Sequence, residues 1–221
     1  MRRKVQFNLV IGILSASICP AVCQGQYRVL PGKTDAGEFG DCSPMTAARI
    51  CLGATGTAYC YTPPNDENSI FGLEPKAKTV GRLNGQDLTL FSSVSSGCGS
   101  GTLTNFALLV VRNGEFVNLL PKVRLTNQSE YKFWNLPRFS NLPVLVTADF
   151  VWDFKAEETH FAPHRYVVNA YALDTKSGQY IQRARYVTAK KYPGLDDSDS
   201  IQVLDAEKVT ILAKLRQGTS D

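Results

Sequence analysis

Period-two patterning across residues 144–192 constrains the fold of this chain more than any other feature. Val144, Val146, Ala148, Phe150 and Trp152 fall at every second position, and a strand places alternate side chains on one face. Leu145, Thr147, Asp149 and Val151 take the other face. A second strand over roughly 166–173 runs into Asp174-Thr175-Lys176-Ser177-Gly178, turn chemistry in which Gly178 supplies a positive φ. A third strand follows, with Tyr180, Ala184 and Tyr186 on one side and Arg183 and Arg185 on the other. β-branched and aromatic residues at period two, broken by such a turn, are a hairpin signal.

An earlier segment has the same form. Leu88, Leu90 and Val94 alternate with polar residues, the glycine-serine loop 96–101 follows, and residues 106–112 are almost wholly apolar up to Arg112. Asn113-Gly114 is the strongest two-residue hairpin signal. The returning strand over 116–125 contains Pro121, which places it on an edge or breaks it there. The first strands of the two units are offset by 56 residues and the hairpin glycines by 64, loop insertion accounting for the drift. Two units cannot close a propeller. The expected fold is therefore mainly β, an antiparallel sandwich or barrel built from two similar three-stranded meanders. A short N-terminal helix and a C-terminal amphipathic helix complete it.

The helices rest on local signals. Ser43 as N-cap, Pro44 at the first helical position and Gly53 past the end predict two turns over 43–53, with Cys42 and Cys51 flanking them. At the other end, Asp205 serves as cap and Val209, Leu212 and Leu215 share a helical face. The aromatic run 131–134, with Trp134, is expected to cover an open end of the core.

Arg2, Arg3 and Lys4, then an apolar run over 9–18, then Ala21-Val22-Cys23, read as a secretory leader. The run is too short for a membrane span. The organisation expected is thus a cleaved signal peptide over 1–23 and a disulfide-bearing N-terminal segment over 24–81 packed on the core. A single β domain over 82–218 carries the internal duplication (about 88–125 and 144–188). The location is periplasmic or secreted, with a lipoprotein acylated at Cys23 as the minor alternative. Three of the 24 basic residues leave with the leader, so 21 face 20 acidic ones. That near-neutral balance argues against a nucleic-acid partner. Cys42, Cys51, Cys60 and Cys98 are the disulfide candidates. Two bridges among them allow three pairings, and the spacing lacks the C-x-x-C pair of a zinc site.

The chain's two histidines, His160 and His164, lie in one loop with Glu157 and Glu158. Glu158, His160 and His164 would suit a divalent transition metal with one open position, the arrangement of a metal-dependent hydrolase. The plainer reading is a loop edge, with His164 stacked on the strand of Tyr166 and His160 bonded to a backbone carbonyl. Asp149 is either a surface carboxylate or, if buried, needs a partner, an arginine being the expected one. Asp149, Trp152 and Trp134 are the residues proposed to form a ligand or interaction surface. No serine-hydrolase elbow or zinc-protease helix signature occurs, and no cofactor is required. Asn127-Gln128-Ser129 is a glycosylation sequon. The residues favour an exported, non-catalytic binding protein, its partner a protein or carbohydrate of the cell envelope.

Overall fold

The computed structural model describes residues 27–34, 44–53, 59–65, 69–96, 101–152, 162–193 and 202–217. The expected leader, Cys42, Cys98, Glu158 and His160 lie outside them. The chain is mainly β, in three antiparallel sheets followed by two short helices. Among the described residues no helix is long and apolar enough to cross a membrane.

The first sheet is small, with β1 (Tyr27–Leu30), β2 (Arg49–Leu52) and β3 (Cys60–Tyr61) in the order β1-β2-β3. The second contains β4 (Leu73–Leu83), β5 (Gln86–Val94), β6 (Leu103–Arg112) and β7 (Glu115–Asn118) in chain order. Its fifth strand, β8 (Val123–Thr126), prolongs the β7 edge: β7 pairs residues 109–112 of β6 and β8 pairs 103–106. Pro121 sits in the break between β7 and β8, as its missing donor requires. The third sheet contains β9 (Ser129–Trp134), β10 (Val144–Phe150), β11 (Tyr166–Asp174) and β12 (Gln179–Val187), also in chain order.

Parity decides how the layers stack. Leu88 and Leu90 of β5, Phe106, Leu108 and Val110 of β6, and Val123 and Leu125 of β8 share one core with Leu145, Tyr171 and Tyr180 of the third sheet. The two larger sheets therefore form a sandwich. The opposite face of the second sheet (Phe91, Ala107, Leu109) packs on Ile50 of the small sheet. The opposite face of the third (Val144, Val146, Ala148, Val168, Ala170) packs on Val203 and Leu204 of α1 (Val203–Ala206) and Ile211 and Leu215 of α2 (Lys208–Gln217). Four layers result: small sheet, five-stranded sheet, four-stranded sheet, helices. Both middle sheets are covered on each side, and so β6 reads as a continuous apolar run over 106–111 and β10 is buried on both faces over 144–148.

Four local expectations are corrected. The helix expected over 43–53 is strand β2, paired to β1 and β3 and joined to β3 by a Cys51–Cys60 disulfide. The cap signal at Ser43-Pro44 promised only two turns, and sheet pairing outweighs so short a helix. Trp134 and its neighbours belong to β9 and pair with β10, because a strand edge was open there. The C-terminal helix is broken at Glu207 and rotated from the expected face: Ile211 and Leu215 are buried, whereas Val209 is 82% exposed. Asp205 does not cap it and instead bonds Lys132 at 2.7 Å. Finally, β4 runs through the boundary expected at residue 81 and belongs to the five-stranded sheet.

Each expected unit is one meander, β5–β6–β7/β8 and β10–β11–β12, and each gains a leading strand, β4 or β9. At one corner the edges meet. The Tyr180 N–H of β12 donates to the Leu119 carbonyl at 2.7 Å, just past β7.

Candidate functional site

His164 is fully buried, and antiparallel backbone bonds to Tyr192 of 2.8 and 2.7 Å pin its main chain. Its ring stacks on Trp152 (5.9 Å, 21° between planes) and meets the edge of Phe150 at 5.2 Å. The stacking partner is Trp152, not the Tyr166 strand. The alternation of β10 explains this, since Phe150 and Trp152 project to the face that His164 closes. Among the described residues no group of three or more His, Cys, Asp or Glu is placed to hold a metal ion. Trp152 is thus engaged in an aromatic box, and Trp134 lies under the Lys208 ammonium at 5.6 Å, against the helix-side core.

Asp149 stands on the inner face of the sandwich, at the end of β10. Its Oδ1 accepts the Thr126 N–H at 3.2 Å and also the Thr126 hydroxyl. Thr126 ends β8 in the other sheet, where the chain crosses over through residues 127–128 into β9. The half-buried carboxylate's partner is thus a threonine and not the expected arginine. Burial raises the Asp149 pKa, and the Thr126 donors pull it back only in part. Asn127 of the sequon is exposed in this same turn, while the Ser129 hydroxyl donates to the Thr126 carbonyl at 2.8 Å.

Asp149 marks the inner end of an open cleft of 320 Å³ between β8 and the inner face of the four-stranded sheet. Lys122, just before β8, forms one wall, and Asn169, Tyr171, Gln182 and Arg185 form the other. Asn169 lies directly opposite Arg185, and Tyr171 directly opposite Gln182, so these are cross-strand neighbours.

A bulge aims these side chains. The β11–β12 register shifts between Ala170 and Tyr171, so that Arg183 is an extra residue in β12. Before it, Tyr180 packs in the inter-sheet core and exposed Gln182 lines the cleft on the same face; after it, Ala184 and Tyr186 face the helices and exposed Arg185 takes the cleft side. Hence Tyr180, Ala184 and Tyr186 do not share one face, and Arg183 and Arg185 have different surroundings. The Arg183 guanidinium donates to Asp174 at 3.2 Å. The guanidinium of Arg185 makes no ion pair among the described residues, and the side-chain amides of Asn169 and Gln182 make no hydrogen bond there. Burial pushes the pKa of the Tyr171 hydroxyl up, and the positive charge of Arg185 pulls it back in part.

One residue of this cleft is legible in the sequence. Gln182 occupies a position that unbroken alternation assigns to the core, and a polar residue there marks a break in the pattern. On the opposite edge of the sandwich a second open groove, of 380 Å³, lies between β4 and β9, where the Lys78 ammonium sits 5.4 Å over the Tyr131 ring.

Comparison with models of protein families, with curated proteins and with solved structures gave no match for this chain. What the site can do follows from its donors. Asp149 is tied to Thr126, and among the described residues the cleft lining includes no histidine, cysteine or serine to pair with it as base or nucleophile. A guanidinium, an ammonium and two amides are groups that hold a ligand.

Proposed function

We propose that this chain is an exported, non-catalytic binding protein that holds an envelope carbohydrate or protein in the cleft between β8 and β12. The observation that carries this reading is the polar inner face of β11 and β12 at the open edge of the sandwich. Half-buried Asn169 and exposed Gln182 and Arg185 line one cleft there and make no side-chain bond to the described residues, beside the apolar core between the sheets. Sites of this kind bind through a few convergent polar groups. Export is supported by the Cys51–Cys60 disulfide, which belongs to an oxidising compartment, together with the leader pattern of the first 23 residues. A metal-dependent hydrolase would need His164 to leave its aromatic box, and so binding is the better reading.

The test is a panel of envelope glycans and proteins presented to the mature protein, with recovered ligand checked by mass spectrometry. We expect at least one ligand, recovered intact, whose retention is lost in the Asn169→Ala/Gln182→Ala variant and kept in Trp134→Ala. Cleavage of the ligand, or retention indifferent to the cleft variant, overturns the reading.

A further inference from the structure

We infer that the ligand of this cleft is an acidic saccharide, with Arg185 holding its carboxylate and Asn169 and Gln182 bonding its hydroxyls. The inference rests on the binding reading above and names its ligand class.

The bulge in β12 is the starting point. An unbulged strand would turn Ala184 inward and Arg185 onto the helices, where a guanidinium among Val168, Ala170 and Leu204 would be costly. The extra residue, Arg183, finds a carboxylate in Asp174. Arg185 is aimed inward yet meets no carboxylate at ion-pair distance among the described residues, although Asp149 lies in the same cleft. Asp149 is already committed to Thr126. Against this one carboxylate the lining sets the cationic side chains of Lys122 and Arg185. An arginine fork matches a carboxylate in a bidentate way.

The neighbours decide between kinds of anion. Asn169 directly across from Arg185, and Gln182 across from Tyr171, set neutral amides beside the guanidinium. An amide offers a donor and an acceptor together, the complement of a sugar hydroxyl. Phosphate would be better served by further cations or by backbone N–H groups in place of these amides, and the third cation of the lining, Arg124, sets its guanidinium over the Phe71 ring and on the Pro64 carbonyl. The volume of 320 Å³ suits one or two sugar rings, at the lower end of ligand clefts.

The experiment titrates the mature protein with galacturonate oligomers, sialyllactose and N-acetylmuramate oligomers. Neutral controls are lactose and N-acetylglucosamine oligomers, and a short peptide with a free C-terminal carboxylate represents a protein partner. Calorimetry gives affinities, and NMR follows the side-chain amides of Asn169 and Gln182. An acidic oligomer is expected to bind and to shift both amides, and to bind more weakly as salt rises. Arg185→Gln is expected to weaken it about tenfold, the worth of one charged hydrogen-bond pair. Arg183→Gln, outside the cleft, should leave the affinity unchanged.

Preferred binding of a neutral sugar or of the peptide, with the same amide shifts, removes the acidic-saccharide assignment and leaves the binding cleft standing. Binding that spares both amides and ignores Arg185→Gln removes the cleft itself. If none of the probes binds, both are overturned.

Discussion

Thr126 gives Asp149 a backbone and a hydroxyl donor at the corner where the chain passes from one sheet to the other. The carboxylate acts as a clip between β8 and β10, and its charge is a burden there. Burial lifts its pKa above the ordinary 3.8, so the folded state prefers the protonated form. Its contribution is therefore fully present below about 3.8 and lost as pH rises through the higher folded value. Asp149→Asn keeps an oxygen acceptor for Thr126 without the charge. Relative to wild type it should gain stability between pH 4 and pH 7. Asp149→Ala should lose about 1–3 kcal/mol at both, since Thr126 then lacks an acceptor. Urea unfolding at the two pH values measures this; an Asn variant that loses ground towards pH 7 contradicts the assignment.

At the scale of elements, what could be read from the sequence depended on how local the signal was. Asn113-Gly114 announces its hairpin, and both residues take positive φ (52° and 83°), as a type I′ turn requires. Asn84-Gly85 carries the same dipeptide with φ of 52° and 79°, and marks the β4–β5 hairpin that the alternation of β4 alone left obscure. Segment 43–53 was misread because its cap residues are local while its partners, β1 and β3, are not. The inward turn of Arg185 was hidden for the same reason, since a bulge is a relation between two strands. His164 had a legible neighbourhood but no legible depth. The small sheet is fixed at a crossing that sequence does not mark. A side-chain carbon on Gly72 would lie 2.3 Å from the Thr46 carbonyl oxygen and 2.4 Å from the Pro44 side chain. The Gly32 N–H donates to the Gly72 carbonyl at 2.7 Å. Gly72→Ala should therefore push the N-terminal segment off β4 and cost about 1–3 kcal/mol. Thermal unfolding should show a lower midpoint and proteolysis faster cleavage before residue 72; an unchanged midpoint argues against the close crossing.

Across the whole molecule, each middle sheet serves two cores at once. The third sheet faces the five-stranded sheet through Leu145 and Tyr171 and the helices through Val146 and Ala170. Tyr186 and Tyr192 fasten the helical layer by donating their hydroxyls to Glu207, at 3.1 Å from Tyr186. Burial, reinforced by Glu207, raises the pKa of both tyrosines, so they remain donors at neutral pH. A sheet shared in this way couples the layers, and loosening the helices should destabilise the sandwich as well. Ile211, fully buried against the sheet, and Val209, 82% exposed on the same helix, separate the effects of packing and of helix propensity. Ile211→Ala should cost about 2–5 kcal/mol, and Val209→Ala no more than about 0.5 kcal/mol. Fluorescence of Trp134 and Trp152 reports the helix-side layer, and far-ultraviolet circular dichroism reports the sheets. In Ile211→Ala both signals should move together to lower denaturant, as in one cooperative transition. Early loss of the fluorescence change, with the sheet signal unmoved, would mean that the helices unfold alone and that the four layers are not one cooperative unit.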